Sequence, residues 1–299
     1  MIILSSALLY GLNIKDGDVI VMYNYRQKCL YDFLKKSKTC SKLRLAKIFF
    51  CSRYENEIND KIKFYGFIPY RFGPFSFELF NDLERLEEGK FISIGDNNIK
   101  FLGGNITVPD HISMKMEEIV NRFSQMNEQQ LIDYVYDKYP EYTIFSEIKK
   151  MQDYSFDRTG VYSLGYEGLS IDEFLMKLIR EKIQCLIDVR NNPWSMKYGF
   201  TKHSLQTFCD KVGIEYIGMP SLGISSDLRQ NLENKKDYDR LFVSYSKNLV
   251  KKSEELDYLN QLSQKKRIAL MCFEKDPNYC HRRILAETLG QLGAKVEIS

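Results

Sequence analysis

The residue types best suited to chemistry in this sequence gather between Arg267 and Arg283, where Cys272, Glu274, Cys280, His281, Arg282 and Arg283 follow a short apolar run. Ile268 to Phe273 reads as a buried strand, the polar residues around Pro277 as a loop, and Arg282 to Leu292 as an amphipathic helix. In an open α/β sheet, ligands bind outside the carboxyl ends of the strands, and a helix N-terminus adds about half a positive charge there. Three chemistries fit such a turn. In the first, Glu274 with Glu167 or Asp188 acts as acid, base or oxocarbenium stabiliser in cleaving a glycosidic bond, while arginines hold phosphate. In the second, Cys272 is a nucleophile for phosphoryl or sulfur transfer, its thiolate favoured by His281 and the arginines. The seven residues between Cys272 and Cys280 include no glycine, unlike a compact phosphate loop. In the third, Cys272, Cys280, His281 and His203 bind zinc, which the adjacency of Cys280 and His281 disfavours.

These groups need strands that end at one rim. Val161 to Gly165, Cys185 to Arg190, Ile214 to Ile217 and Ala294 to Ile298 read as further strands, with helices over Ile171 to Lys182, Ser204 to Val212 and Leu256 to Gln264. Strand, helix, strand in that order requires a parallel pair and a right-handed crossover. Polar residues follow each strand: Tyr166 and Glu167 after the first, Asp188 to Ser195 at the end of the second, Pro220 to Gly223 after the third. Bland readings stand beside these. Glu167 and Asp188 could cap helices or pair with Arg190, Trp194 could pack as a lid, and Cys185 and Cys209 lie on apolar segments as small core residues.

The first half carries less chemistry. Asp16-Gly17-Asp18 turns into a short strand at Val19 to Tyr23. Arg26 to Lys47 holds Arg26, Lys28, Lys35, Lys36, Lys38, Lys42, Arg44 and Lys47 against one acid, Asp32, and the interleaved apolar residues fit one helix face. The other face is then either a phosphate-contacting surface or a solvated one. Ser76 can cap a helix over Phe77 to Leu86, and Phe91 to Ile94 with Ile99 to Leu102 forms a hairpin around Gly95-Asp96-Asn97-Asn98. The acids Glu78, Asp82, Glu84, Glu87 and Glu88 would repel phosphate from that helix, so DNA contact falls to Lys35, Lys36, Lys42 and Arg44 instead. His111 to Lys150 continues as helix, and the polar stretch Asp153 to Thr159 marks a domain boundary.

The 299 residues, 44% hydrophobic and 28% charged, suffice for two domains, and a net charge of +3 is too mild to identify a nucleic-acid partner by itself. Seven cysteines along so long a chain fit reduced thiols in a cytoplasm. The apolar run Ala7 to Tyr10 is far short of a membrane span.

Two resemblances follow from these motifs. The wording from Phe64 to Ile92, with Leu131 to Ile148, resembles the winged-helix-like N-terminal module of certain uncharacterised two-domain proteins. The run from Ser163 to Gly223, together with Ile268 to Leu289, resembles the DUF488 family over roughly residues 160–299. By that resemblance Asp188, Arg190, Pro193, Ser195, Phe200, Cys272, Glu274, Cys280, His281 and Arg282 match family positions, whereas Leu222-Gly223-Ile224 departs from it by lacking a second glycine. The expected architecture is a mainly α, winged-helix-like domain with a β-hairpin wing over residues 1–155 and an α/β domain with a mainly parallel sheet over 156–299. The expected function is a hydrolase acting on nucleic acid, DNA above all, or on a nucleotide, with carboxylate-assisted cleavage of the glycosidic bond to a base or modified base favoured and defence against foreign DNA as a candidate role. Glu274, Asp188, Glu167, Cys272 and His281 are the expected catalytic residues, and Tyr166, Arg190, Trp194, Ser195 and Arg282 the substrate-binding ones. No metal and no cofactor is assigned, a homodimer is left open, and the alternatives are Cys272-dependent transfer or a DNA-binding regulator with an anion- or metal-sensing α/β domain.

Overall fold

A computed structural model describes residues 12–15, 18–21, 23–55, 64–230 and 232–299. The chain divides into two compact units, Met1–Asp153 and Tyr154–Ser299. The run Ala7 to Tyr10 and the turn residues Asp16 and Gly17 lie outside the described residues.

In the first unit, β1 (Leu12–Lys15) pairs antiparallel with β2 (Asp18–Val21). Helix α1 (Tyr25–Ser37) begins at Asn24, whose side chain and that of Gln27 cap each other's backbone amides. Then come β3 (Thr39–Ser41), α2 (Lys42–Glu55), the hairpin β4 (Ile68–Tyr70) and β5 (Gly73–Phe75), and α3 (Phe77–Glu88), capped by Ser76. Strands β6 (Ile92–Ile94) and β7 (Asn98–Phe101) form the expected hairpin, and β7 also pairs with β3. Helices α4 (Asp110–Ser124) and α5 (Glu128–Lys138) close the unit.

Two expectations for this unit are corrected. Residues 26–47 do not form one basic helix face, because Lys38 has a left-handed backbone (φ 63°) and β3 follows it. Their cations are largely consumed inside the unit: Arg26 pairs with Glu78 and Asp82, Lys36 with Asp32 and Glu117, and Arg44 donates to the carbonyls of Phe123 and Met126. Lys47 is fully buried and donates to the Phe72 carbonyl, and burial pulls its amine down to about 7. Glu78 and Asp82 therefore turn inward, leaving Glu84, Glu87 and Glu88 exposed on α3. The second correction is that His111 to Lys150 is not one helix. It breaks at Gln125 to Asn127, where Asn127 caps α5 with Gln130.

The second unit contains β8 (Gly160–Gly165), α6 (Ile171–Arg180), β9 (Cys185–Asp188), α7 (Lys202–Lys211) and β10 (Glu215–Gly218). It continues with α8 (Lys235–Leu249), α9 (Ser253–Lys265), β11 (Arg267–Cys272), α10 (His281–Gln291) and β12 (Val296–Ile298). The five strands form one parallel sheet in the order β10-β9-β11-β8-β12, as the apolar runs led us to expect. The chain leaves β9 toward β10 but leaves β11 toward β12, so a crevice opens at their carboxyl ends. Helix α8 has no counterpart in the sequence reading, although Phe242, Tyr245 and Leu249 are spaced as one helix face and are buried. Among the described residues no helix is long and apolar enough to cross a membrane.

Candidate functional site

Strand alternation decides which side chains reach the rim. Ile268, Leu270 and Cys272 share the core that α8, α9 and α10 cover, so Cys272 is the last inward residue of the central strand β11. Cys272 stands in register with Gly165, and Met271 with both Leu164 and Asp188, which levels the ends of three strands. Helix α10 starts against this edge. Its N-cap is Cys280, whose side chain makes no capping hydrogen bond and is left to face Cys272.

Around Cys272 the chain assembles a charged cluster. Its Sγ lies 3.3 Å from Glu274 Oε2 and 3.9 Å from His281 Nδ1. Arg229 donates from Nη1 to Glu274 Oε1 at 2.8 Å and from Nη2 to His281 Nδ1 at 3.0 Å. His281 Nε2 is 3.1 Å from the Val189 carbonyl, and since a carbonyl only accepts, the proton is on Nε2 and the Nδ1 lone pair faces Arg229. A hydrogen bond from Cys280 pulls the Cys272 thiol well below its ordinary range against the cost of burial, with the charge of Arg229 adding to it. Burial, then the charge of Cys272, raises the Glu274 carboxyl, and burial raises Cys280. Burial works against the charge of Arg229, but the neighbouring Glu274, then Cys272, raise its pKa.

A second cluster lies beside the first. Asp188 and Arg190 are buried and bidentate: Nε donates to Oδ1 at 2.9 Å and Nη2 to Oδ2 at 2.6 Å. Asp188 also accepts from the Arg190 amide and the Tyr216 hydroxyl. Arg190 Nη1 donates to the Tyr166 hydroxyl and the Phe200 carbonyl, and Tyr166 stacks on Phe200 at 4.2 Å. Burial disfavours the charge of Arg190, yet its bond to Asp188 raises its pKa further.

Between the clusters lies a cleft of about 510 Å³, in the size range of ligand sites. Tyr166, Arg190, Trp194, Ser195, Cys272 and Glu274, all named from sequence, line it together with Lys197 and Arg229. Trp194 is 65% exposed at its rim. Residues 170–289 match the family model described as "Domain of unknown function DUF488". The second unit carries a DUF488 domain. No curated protein and no solved structure matches the chain.

Several expected roles shift within the DUF488 domain. The Asp188 carboxylate accepts four hydrogen bonds from Arg190 and Tyr216, which occupies its lone pairs and makes it a positioning residue rather than an acid or base. Glu167 is exposed and accepts from the Lys275 amide, lining a different depression from the one that holds Cys272. Arg282 is fully buried, bonded to the Ser163 hydroxyl and to the carbonyls of Glu274, Lys275 and Ser299, so it fixes the turn and does not reach the cleft. His203 is exposed on α7. Lys35, Lys36, Lys42 and Arg44 belong to the first unit.

Sequence reasoning missed Lys197 and, above all, Arg229. The latter lies on a single helical turn, Ser226–Arg229, with no periodic signal. The one available clue was its place after a strand of the sheet, where every other connection already carried polar chemistry. Gly165 has a role sequence did not expose: a Cβ there would come within 1.8 Å of the Glu274 carbonyl oxygen, so only glycine lets β8 pass the turn that presents Glu274.

Proposed function

We propose that the DUF488 domain catalyses Cys272-dependent phosphoryl transfer to water from a phosphate ester bearing an aromatic base. The observation that carries this reading is the Cys272 Sγ and Glu274 carboxyl pair, 3.3 Å apart at one cleft wall and held by Arg229. A nucleophile, a proton carrier and an anion holder are thereby within reach of one bound group. Cleavage of a glycosidic bond by two carboxyls is less well supported, because Glu274 has no second free carboxyl opposite it among the described lining residues.

The Cys272 thiolate attacks phosphorus, forming an S–P bond as the P–O bond to the leaving group breaks. Glu274, as the carboxylic acid, protonates the departing oxygen. Water then attacks the thiophosphate, Glu274 takes its proton, and the S–P bond breaks to release phosphate and restore the thiolate. Arg229 and Lys197 neutralise the equatorial oxygens, and Trp194 offers an exposed face to a base. The test is phosphate release from an aryl phosphate and from a panel of nucleotides. Cys272→Ser should abolish it and Glu274→Gln should slow it by about 10²-fold or more. Full turnover by Cys272→Ser, or no release from any of these esters, overturns the reading.

For the first unit we infer a winged-helix-like module that contacts DNA. Supporting it are the order helix, strand, helix, short hairpin, helix, hairpin and the pairing of β3 with β7. Lys35, Lys38 and Lys100 are exposed cations near that small sheet, whereas Lys36 and Arg44 are engaged internally and Lys42 is half-buried. Replacing those three exposed lysines with Glu should weaken DNA binding and flatten its salt dependence. An unchanged salt slope would remove DNA from this reading.

A further inference from the structure

We propose that Cys272, Cys280 and His281 form a zinc-binding site, with Glu274 as the fourth donor and Arg229 as the cation that zinc displaces. The ligand atoms of the first three lie within 4.8 Å of one another. Tetrahedral zinc, with Zn–S near ~2.3 Å and Zn–N near ~2.0 Å, places its donors about 3.5–3.8 Å apart. Cys272 Sγ already stands 3.9 Å from His281 Nδ1, so a contraction of the three by up to about 1 Å brings them to donor spacing, and Glu274, whose Oε2 lies 3.3 Å from Cys272 Sγ, stands beside them as the remaining donor.

The surroundings suit a metal as well as the distances do. Metal-bound histidines commonly donate their second ring N–H to a carbonyl or carboxylate, and His281 Nε2 does so to the Val189 carbonyl, aiming Nδ1 at the thiols. Adjacency of Cys280 and His281, an objection at the level of sequence, is removed by local geometry. Cys280 is an extended N-cap (φ −129°, ψ 135°) and His281 the first helical residue, so the chain turns between them and both side chains converge. Two sulfurs and an imidazole select zinc over magnesium or calcium, which prefer oxygen. Glu274 takes the place that His203 would have held.

Arg229 supplies the competition. Its guanidinium bonds to His281 Nδ1 and Glu274 Oε1, two of the four donors. One cation or the other can occupy them. With zinc bound, the Cys272 lone pairs are engaged and the thiol is silent; with Arg229 in place, the sulfur faces the cleft. Zinc binding itself does not depend on the phosphoryl-transfer reading, and only its silencing effect builds on it.

The experiment uses the full chain, purified without chelator, analysed for zinc, stripped, and titrated with Zn²⁺ against a chromophoric chelator. We expect one zinc per chain, and with Co²⁺ a thiolate-to-metal charge-transfer band with tetrahedral d–d absorption. Cys280→Ser and His281→Gln should each weaken binding at least 100-fold, whereas Cys209→Ser, a buried cysteine elsewhere, should not. Circular dichroism verifies that each variant is folded. Arg229→Ala should tighten zinc binding by tenfold or more. Equal affinity in the parent and in folded Cys280→Ser and His281→Gln overturns the site, and unchanged affinity in Arg229→Ala overturns the competition. Loss of zinc binding with phosphate release intact defeats the metal site alone. Tight zinc binding with no phosphate release from the stripped protein defeats the transfer reading alone.

Discussion

Asp188→Asn separates a positioning role from a catalytic one. The substitution keeps the shape of the side chain and removes its charge, leaving the Arg190 guanidinium 6% exposed with no anion on it. Removing one partner of a buried ion pair costs about 3–5 kcal/mol, because the other charge remains desolvated. Against a domain stability of about 5–15 kcal/mol this is a large fraction, and it corresponds to a fall in Tm on the order of 10 °C. Denaturant unfolding followed by Trp194, the one tryptophan of the chain, reports on this domain. Arg190→Met alone should be costly too, but the double variant should lose at least about 1 kcal/mol less than the two singles together, since it leaves no orphaned charge. Phosphate release by Asp188→Asn should fall only with the folded fraction. A variant within about 0.5 kcal/mol of the parent that is nevertheless inactive would refute this reasoning and return Asp188 to the chemistry.

Other outcomes follow from single contacts. Lys47 has a folded pKa of about 7 against 10.5 for the free side chain, so the unfolded chain binds more protons between those values and stability should rise with pH across that window. Lys47→Met should therefore stabilise α2 most at pH 7 and below, by up to about 5 kcal/mol less about 1–3 kcal/mol for the orphaned Phe72 carbonyl, as read by hydrogen exchange; a flat pH dependence in the parent contradicts this. Gly165→Ala should displace the Glu274 turn and cost at least about 2 kcal/mol together with most activity, measured on the same preparation. Arg282→Lys should cost about 3 kcal/mol or more in the Trp194 unfolding assay, because one ammonium cannot span the acceptors the guanidinium holds; retained stability would show that the turn is fixed by other means.

The parallel sheet was legible because β8, β9 and β11 are apolar runs bounded by loops, and the Cys272, Glu274 and His281 group because a strand and a helix place it at one turn. What sequence could not convey was pairing across distance. Arg229 meets Glu274 from a chain segment without periodicity, and Tyr216 reaches Asp188 from the neighbouring strand, a pairing that spacing along the chain does not disclose. In the first unit the helical spacing of apolar residues runs on through Ser37 to Ser41, and a three-residue strand is too short to interrupt that pattern. The same limit hid the break at Asn127, a capping residue inside an otherwise continuous apolar periodicity.

The main chain of Glu274 is gripped from two sides, by Gly165 passing beneath its carbonyl and by Arg282 bonding to it, while the opposite rim at Trp194 and Met196 is largely exposed. Changes at the gripped side threaten folding and reaction together. Changes at the rim alter what the cleft admits while leaving the reacting groups in place. Divergence among proteins built this way would therefore accumulate in the segment after Pro193, and selection for a new substrate in the laboratory should begin there.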